Sequence, residues 1–245
     1  MTTTRLIISV LLCLCCVIMC EAVPASQYIC RRASGKITID GKLDEAAWQN
    51  AKVTTLFVPV TDTKPLSKTE ARVLWDDNYL YVSYVAFDKD IWAIFTTPNS
   101  PTCQEDCLEC FIQPNPKTQP YYNFEINALG TVFSAYHITR NAGGADGHRW
   151  LWNCKGLRVG IQIDGTLSDP SDVDRRWQME IAIPFAELPS LNGKQPKTGD
   201  VWRFLLARYD YSIYLPDGME LSCNSHLTKV DFHEAKEWSE LRFAE

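Results

Sequence analysis

The sequence predicts an all-β fold: a two-sheet antiparallel β-sandwich with one or two short helices. Three observations carry that reading. First, two stretches alternate with period two. Leu108, Cys110 and Ile112 alternate with Cys107, Glu109 and Phe111, and Tyr122, Phe124 and Ile126 alternate with Asn123, Glu125 and Asn127. Such alternation marks strands with one face in a core. Second, the strand-like runs are many and short, with turn signals between them. Third, residues 23–245 suit one sandwich domain in length and hold no internal repeat, low-complexity run or long linker.

The elements follow in chain order. Residues 1–22 read as a secretory signal peptide: Arg5 is a short positive start, Leu6 to Met19 is apolar but too short to span a bilayer, and Cys20 and Ala22 offer small residues for cleavage. Val23-Pro24-Ala25 is a second cleavage candidate, and a lipid anchor at Cys20 or an uncleaved anchor are the alternatives. Ile37 and Ile39 lead into the Asp40-Gly41 turn. Residues 43–51 form a short helix, with Asp44 and Glu45 near its positive end. Residues 53–60 are strand-like, and 72–75 and 79–87 make a hairpin around Asp76-Asp77-Asn78. Strands at 107–113, 121–127 and 131–136 come next. Residues 140–149 are a glycine-rich loop without the Lys-Ser or Lys-Thr of a phosphate-binding loop. Strands at 157–163 and 177–183 follow; Pro184 stops the second, and 185–188 make a helical turn. Residues 201–210 are a strong strand, and Leu241 and Phe243 close the sheet.

The formal net charge is −6, and no basic stripe is present, which argues against nucleic acid and anionic membranes as partners. No later segment is apolar for long enough to cross a bilayer, so the mature form is expected to be free of the membrane. Export makes disulfides the default for Cys30, Cys103, Cys107, Cys110, Cys154 and Cys223, with the pairing left open. A zinc knuckle of Cys103, Cys107 and Cys110 is disfavoured, because Cys107 and Cys110 belong to opposite faces of one strand. Structural calcium is a candidate at Asp76, Asp77, Asn78 and Asp88, or at Asp164 and 169–174, although neither group has the EF-hand spacing. No other cofactor is expected.

The stretch EDCLECFIQPNPKTQPYYNFEINALGT (105–131) places Glu109, Asn123, Glu125 and Asn127 together on the face turned away from the core, a floor for a polar ligand. It resembles the family 9 carbohydrate-binding modules and their secreted relatives. IDGKLDEAAWQNA (39–51), ARVLWDDNYLYVSYVAFD (71–88), IWAIFTT (91–97), GTLSDPSDVDRRWQMEIAIPFAEL (165–188), GDVWRFLLARYD (199–210) and KVDFHEAKEWSELRF (229–243) are similar to that group in the same order. The resemblance implies a sandwich that holds the end of a sugar chain between two tryptophans, with polar side chains reading hydroxyls. It assigns Glu109 to a sugar-contacting glutamate. Glu125 stands where some members carry arginine.

Two departures alter that slot. Cys103 stands at one tryptophan position and Asn224 at the other, beside Cys223. Trp92, Trp150 and Trp152 are the nearest replacement platforms. The candidate carbohydrate-binding residues are therefore Glu109, Glu125, Asn127, Trp92 and Asn224. The resemblance also suggests a Cys103–Cys223 bridge closing the slot. The competing pattern pairs Cys103 with Cys107 or Cys110, and Cys223 with Cys154 or Cys30.

Catalysis is not expected. Glu109 and Glu125 could approach each other, but the chain lacks a second domain to build a deep cleft. There is no G-x-S-x-G elbow, and His137, His148, His226 and His233 lack zincin spacing. The expected function is non-catalytic binding of extracellular carbohydrate by a secreted protein (periplasmic, if bacterial). The rivals are a haem- or redox-associated sandwich, for which Met179 and Met219 are the methionines outside the signal, and a scaffold that binds other proteins.

Overall fold

The computed structural model describes residues 26–139 and 152–245. The signal segment, the glycine-rich loop with His148, and Trp150 lie outside the described residues. Among the described residues are twelve strands: β1 (Gln27–Arg32), β2 (Thr54–Thr55), β3 (Thr69–Trp75), β4 (Tyr79–Phe87), β5 (Cys107–Gln113), β6 (Tyr121–Asn127), β7 (Val132–His137), β8 (Arg158–Asp164), β9 (Arg176–Pro184), β10 (Val201–Tyr211), β11 (Met219–Cys223) and β12 (Ser239–Ala244). One short helix, α1 (Ala46–Asn50), precedes β2.

The strands form one curled mixed sheet in the order β7-β6-β5-β10-β12-β1-β3-β4-β9-β8, with β11 on β10 and β2 on β3. This corrects the expectation of two separate antiparallel sheets. β1 runs parallel to both neighbours, β12 and β3, and so joins the two halves through its own hydrogen bonds. The strand expected at 53–60 is also corrected: β2 keeps two residues, because Val60 and Asp62 turn with positive φ and Asp62 N–H donates to Val58 O.

The halves close over a main core of Leu108, Cys110, Ile112, Tyr122, Phe124, Ile126, Phe204 and Leu206 against Val73, Val82, Tyr84, Trp177, Met179 and Ile181. Period-two alternation fills this space from both sides. The outer faces are covered as well. Ile37, Ala47 and Trp48 pack on Leu74, Tyr81 and Ala182. That cover is pinned by Glu180 of β9, which accepts from Trp48 Nε1 (2.7 Å), Gly41 N (2.8 Å) and Asp40 N (3.1 Å). On the other half, Leu227, Phe232 and Trp238 pack on Phe111, Leu205 and Ala207.

Candidate functional site

The cross-strand register sets one row across the sheet. Cys223 lies opposite Ala207, Ala207 opposite Glu109, Glu109 opposite Glu125, and Glu125 opposite Phe133. The next row brings Tyr209, Cys107 and Asn127 together. The grouping of Glu109, Asn123, Glu125 and Asn127 on one face is therefore present, but the expectation that this face is open is corrected. Glu109 is 2% exposed, Glu125 8%, Asn123 1% and Asn127 0%.

The segment 99–106 makes the lid. Thr102 Oγ1 donates to Glu125 Oε2 (3.3 Å), and Asn123 Nδ2 donates to Glu125 Oε1 (2.8 Å). Glu105 accepts from Ile94 N (2.6 Å) and from Asn127 Nδ2. Asp106 accepts from Trp92 N (2.6 Å) and Tyr211 N (2.8 Å), tying the 90–95 segment to the end of β10. Asn127 is consumed by structure: its amide also donates to Phe95 O (2.8 Å), and its oxygen accepts from Leu129 N and Thr131 N.

Among the described residues no lysine or arginine pairs with Glu109 or Glu125. Arg208, on the neighbouring strand β10, pairs with Asp88 (2.7 Å) and Asp210 (3.2 Å). Burial, and then the neighbouring Glu125, pushes the Glu109 carboxyl well above its ordinary range. Burial raises Glu125 to about 7 against the hydrogen bonds that lower it. Glu109 Oε2 is buried without a hydrogen-bond partner.

The cysteines near this face differ in surroundings. Burial, and then the nearby Glu125 and Glu109 carboxylates, push the Cys103 thiol up to about 12. Cys107 is fully buried beside Glu109 and Glu125. Cys223 donates to Ser225 O (3.2 Å) and packs with Leu227 and Trp238. All six described cysteines are free, so the expected Cys103–Cys223 bridge is not formed here. Ala207 and Glu109 stand between Cys223 and the Cys103 side of the face.

Asn224 occupies a gap in the sheet. β10 pairs with β12 through Phe204 and with β11 from Ala207 onward. Asn224 spans the break: its Oδ1 accepts from Leu206 N (2.7 Å) and its N–H donates to Leu206 O (3.0 Å). It is thus committed to the backbone and 5% exposed.

Trp92 is half-buried, and so is Trp152, which packs against Tyr122 and Phe124. With Tyr211, Asp90, Pro170, Ser212, Ile213 and Gly218, Trp92 lines a cleft of about 370 Å³ on the outer side of the Asp106 ties. Sequence reasoning named Trp92 but missed Tyr211 and Asp106. The odd-numbered positions of β10 share the Glu109 face, and that parity was the available signal for Tyr211. Three larger hollows occur among the described residues: one of about 610 Å³ by Phe87 and Arg175, and two of about 660 and 1160 Å³ by Gln113 and Arg203 and by Pro114 and Lys194. The tyrosine and tryptophan of the last two, Tyr121 and Trp202, are each 2% exposed, so neither offers a stacking face.

The acidic groups considered for calcium are bonded internally. Asp76 accepts from Asn78 N and Tyr81 Oη, Asp77 pairs with Arg32, and Asp88 pairs with Arg208. Asp164 pairs with Arg175, Asp169 accepts from Ser171, and Asp174 accepts from Ile91 N. Met179 is sealed in the main core, and Met219 is exposed on β11.

Three similarities to known proteins agree with this architecture. A protein from Bacteroides uniformis ATCC 8492, proposed to bind carbohydrate, superposes with a TM-score of 0.66 at 14% identity, covering 89% of this chain and 99% of that one. A family 9 carbohydrate-binding module from Caldicellulosiruptor kristjanssonii, solved with cellotriose, gives 0.61 at 14% identity over 89% and 94% of the two chains. Endo-1,4-beta-xylanase A from Thermotoga maritima is 32% identical over 88 residues, which are 36% of this chain and 8% of the xylanase. The chain thus spans a small part of that enzyme. Residues 39–242 match the family described as carbohydrate family 9 binding domain-like, and the chain belongs to that family.

Proposed function

We propose that this chain is an exported, non-catalytic carbohydrate-binding domain with an altered sugar slot, and that the sugar meets Trp92 and Tyr211. The single observation carrying the reading is the cleft that joins these two half-buried rings to Asp90 and Ser212. A pyranose presents an apolar face to an aromatic ring and hydroxyls to carboxylate and hydroxyl groups. The cleft falls within the size of small-ligand sites, roughly 300–1,000 Å³. Family membership and the cellotriose-bound relative support carbohydrate as the ligand class.

Glu109 and Glu125 act beneath this site and do not touch the sugar. They are buried under Thr102 and the Asp106 ties. Close carboxyls are also the pattern of a retaining glycosidase. A glycosidase pair must flank a bound sugar, and a pair this deeply buried has no room for one. Cellotriose and xylo-oligosaccharides titrated calorimetrically, followed by a broad glycan array, test the reading. Saturable heat with one sugar class and no released product is the expected result. A folded protein that ignores every glycan would overturn it.

A further inference from the structure

We propose that Cys107, Glu109 and Glu125 form a buried zinc site. Cys107 Sγ and one oxygen from each glutamate lie within 4.8 Å of one another. All three residues are buried. Three donors from adjacent strands at that separation can close on one ion with small side-chain shifts.

Proximity alone would be weak evidence, since acidic groups often cluster. The independent observation is Glu109 Oε2, which is buried in the cluster and has no hydrogen-bond partner. Buried polar atoms are rarely left so, and each instance calls for an explanation such as an ion. Its cross-strand neighbour on β10 is Ala207, which has no polar side-chain group to offer it. No lysine or arginine among the described residues offers the charge that two facing carboxylates need.

The donor types select the metal class. Calcium takes 6–8 oxygens, typically, and a thiolate is a poor ligand for it. Zinc accepts thiolate and carboxylate in a four-coordinate shell. Cys103 lies close to Glu125 and Glu109 but falls outside this mutually close set, so it is not counted among the ligands. Binding would replace the protons held by the thiol and the carboxyls, which pass to solvent. No electron transfer is involved. The set differs from Cys103, Cys107 and Cys110, because Cys110 lies in the main core on the opposite face. Cys107, Glu109 and Glu125 do not line the sugar cleft, so the metal site can fail while carbohydrate binding survives.

The test uses the full mature protein purified without chelator or reductant, and Co²⁺ as a spectroscopic stand-in for Zn²⁺. The expected result is one equivalent of Co²⁺ with a thiolate-to-cobalt charge-transfer band and the intense visible bands of a tetrahedral site. Zn²⁺ should displace it. Glu109→Gln, Glu125→Gln and Cys107→Ser should each weaken Zn²⁺ by at least about tenfold. Their thermal transitions identify any variant that fails to fold, and the remaining variants then carry the comparison. A cobalt spectrum without thiolate bands, unchanged affinity in the folded variants, or a native Cys103–Cys107 disulfide in peptide mapping would overturn the proposal.

Discussion

Glu109 and Glu125 stand directly opposite each other on β5 and β6, and both are buried. Facing carboxylates in a low-dielectric space cannot both ionise cheaply. The pair therefore either keeps a proton or holds a cation. This relationship makes the polar face an internal layer, and under the proposed function ligand contact falls to Trp92 and Tyr211 instead.

The pair makes stability depend on pH in the metal-free protein. Burial holds the folded Glu109 well above 4.5, its ordinary value, and Glu125 at about 7. The folded state thus binds extra protons between those limits. Its advantage is fully present below the ordinary carboxyl value and is lost as pH rises through about 7. Each extra proton is worth about 1.4 kcal/mol per pH unit. Asp88, raised to about 6 by burial, and Glu180, raised to about 7 by burial, act in the same direction. Denaturant unfolding of the metal-free protein should show stability falling from mildly acidic to neutral pH. Glu109→Gln should flatten that fall, and an unchanged slope would contradict the assignment.

Asn224 should behave as a structural residue. Asn224→Ala leaves the Leu206 N–H without its side-chain acceptor, inside a sheet where Leu206 is fully buried. The cost should be about 1–3 kcal/mol. A lower urea midpoint with an unchanged slope, and sugar affinity unaltered in the folded fraction, is the expected pair of results.

The approach of residues 40–41 to β8 gives a sharper contrast. A Cβ on Gly160 would meet Gly41 N at 2.4 Å and Asp40 backbone carbon at 2.7 Å. Gly160→Ala must therefore push the turn off Glu180 and break its hydrogen bonds. It should destabilise by at least about 1–3 kcal/mol, the range for overpacking. Gly35→Ala, with nothing within 4 Å of the added carbon, is the control and should change little. Thermal melts of the two variants decide the matter.

Local pattern carried much of this fold. The β5–β6 pair was legible from its period-two alternation, and the β3–β4 pair from the Asp76-Asp77-Asn78 turn between β-branched and aromatic runs. The parallel pairing of β1 with β12 was not, since Tyr28 meets Leu241 from the far end of the chain. Loop cover was equally illegible. Leu227, Phe232 and Trp238 follow no period, yet they bury Phe111 and Ala207 and help make an internal face of an alternation that reads as solvent-facing. The same limit applied to the site. Trp92 was legible as a tryptophan in a loop, whereas Tyr211 fell one residue beyond the strand expected at 201–210. The commitment of Asn224 to Leu206 depends on where β10 changes partners, which no short stretch of sequence states.

The central claim is that sugar rests on Trp92 and Tyr211 while the buried glutamates stay out of contact. The most direct measurement is the affinity for the preferred oligosaccharide in Trp92→Ala, Tyr211→Ala and Glu109→Gln, each with its thermal transition recorded. Losing a stacking or hydrogen-bonding group should cost about 1–3 kcal/mol, or about tenfold to a hundredfold in affinity. The account predicts that loss in both aromatic variants and near-normal affinity in folded Glu109→Gln. Intact binding in the two aromatic variants, with binding abolished in folded Glu109→Gln, would contradict it.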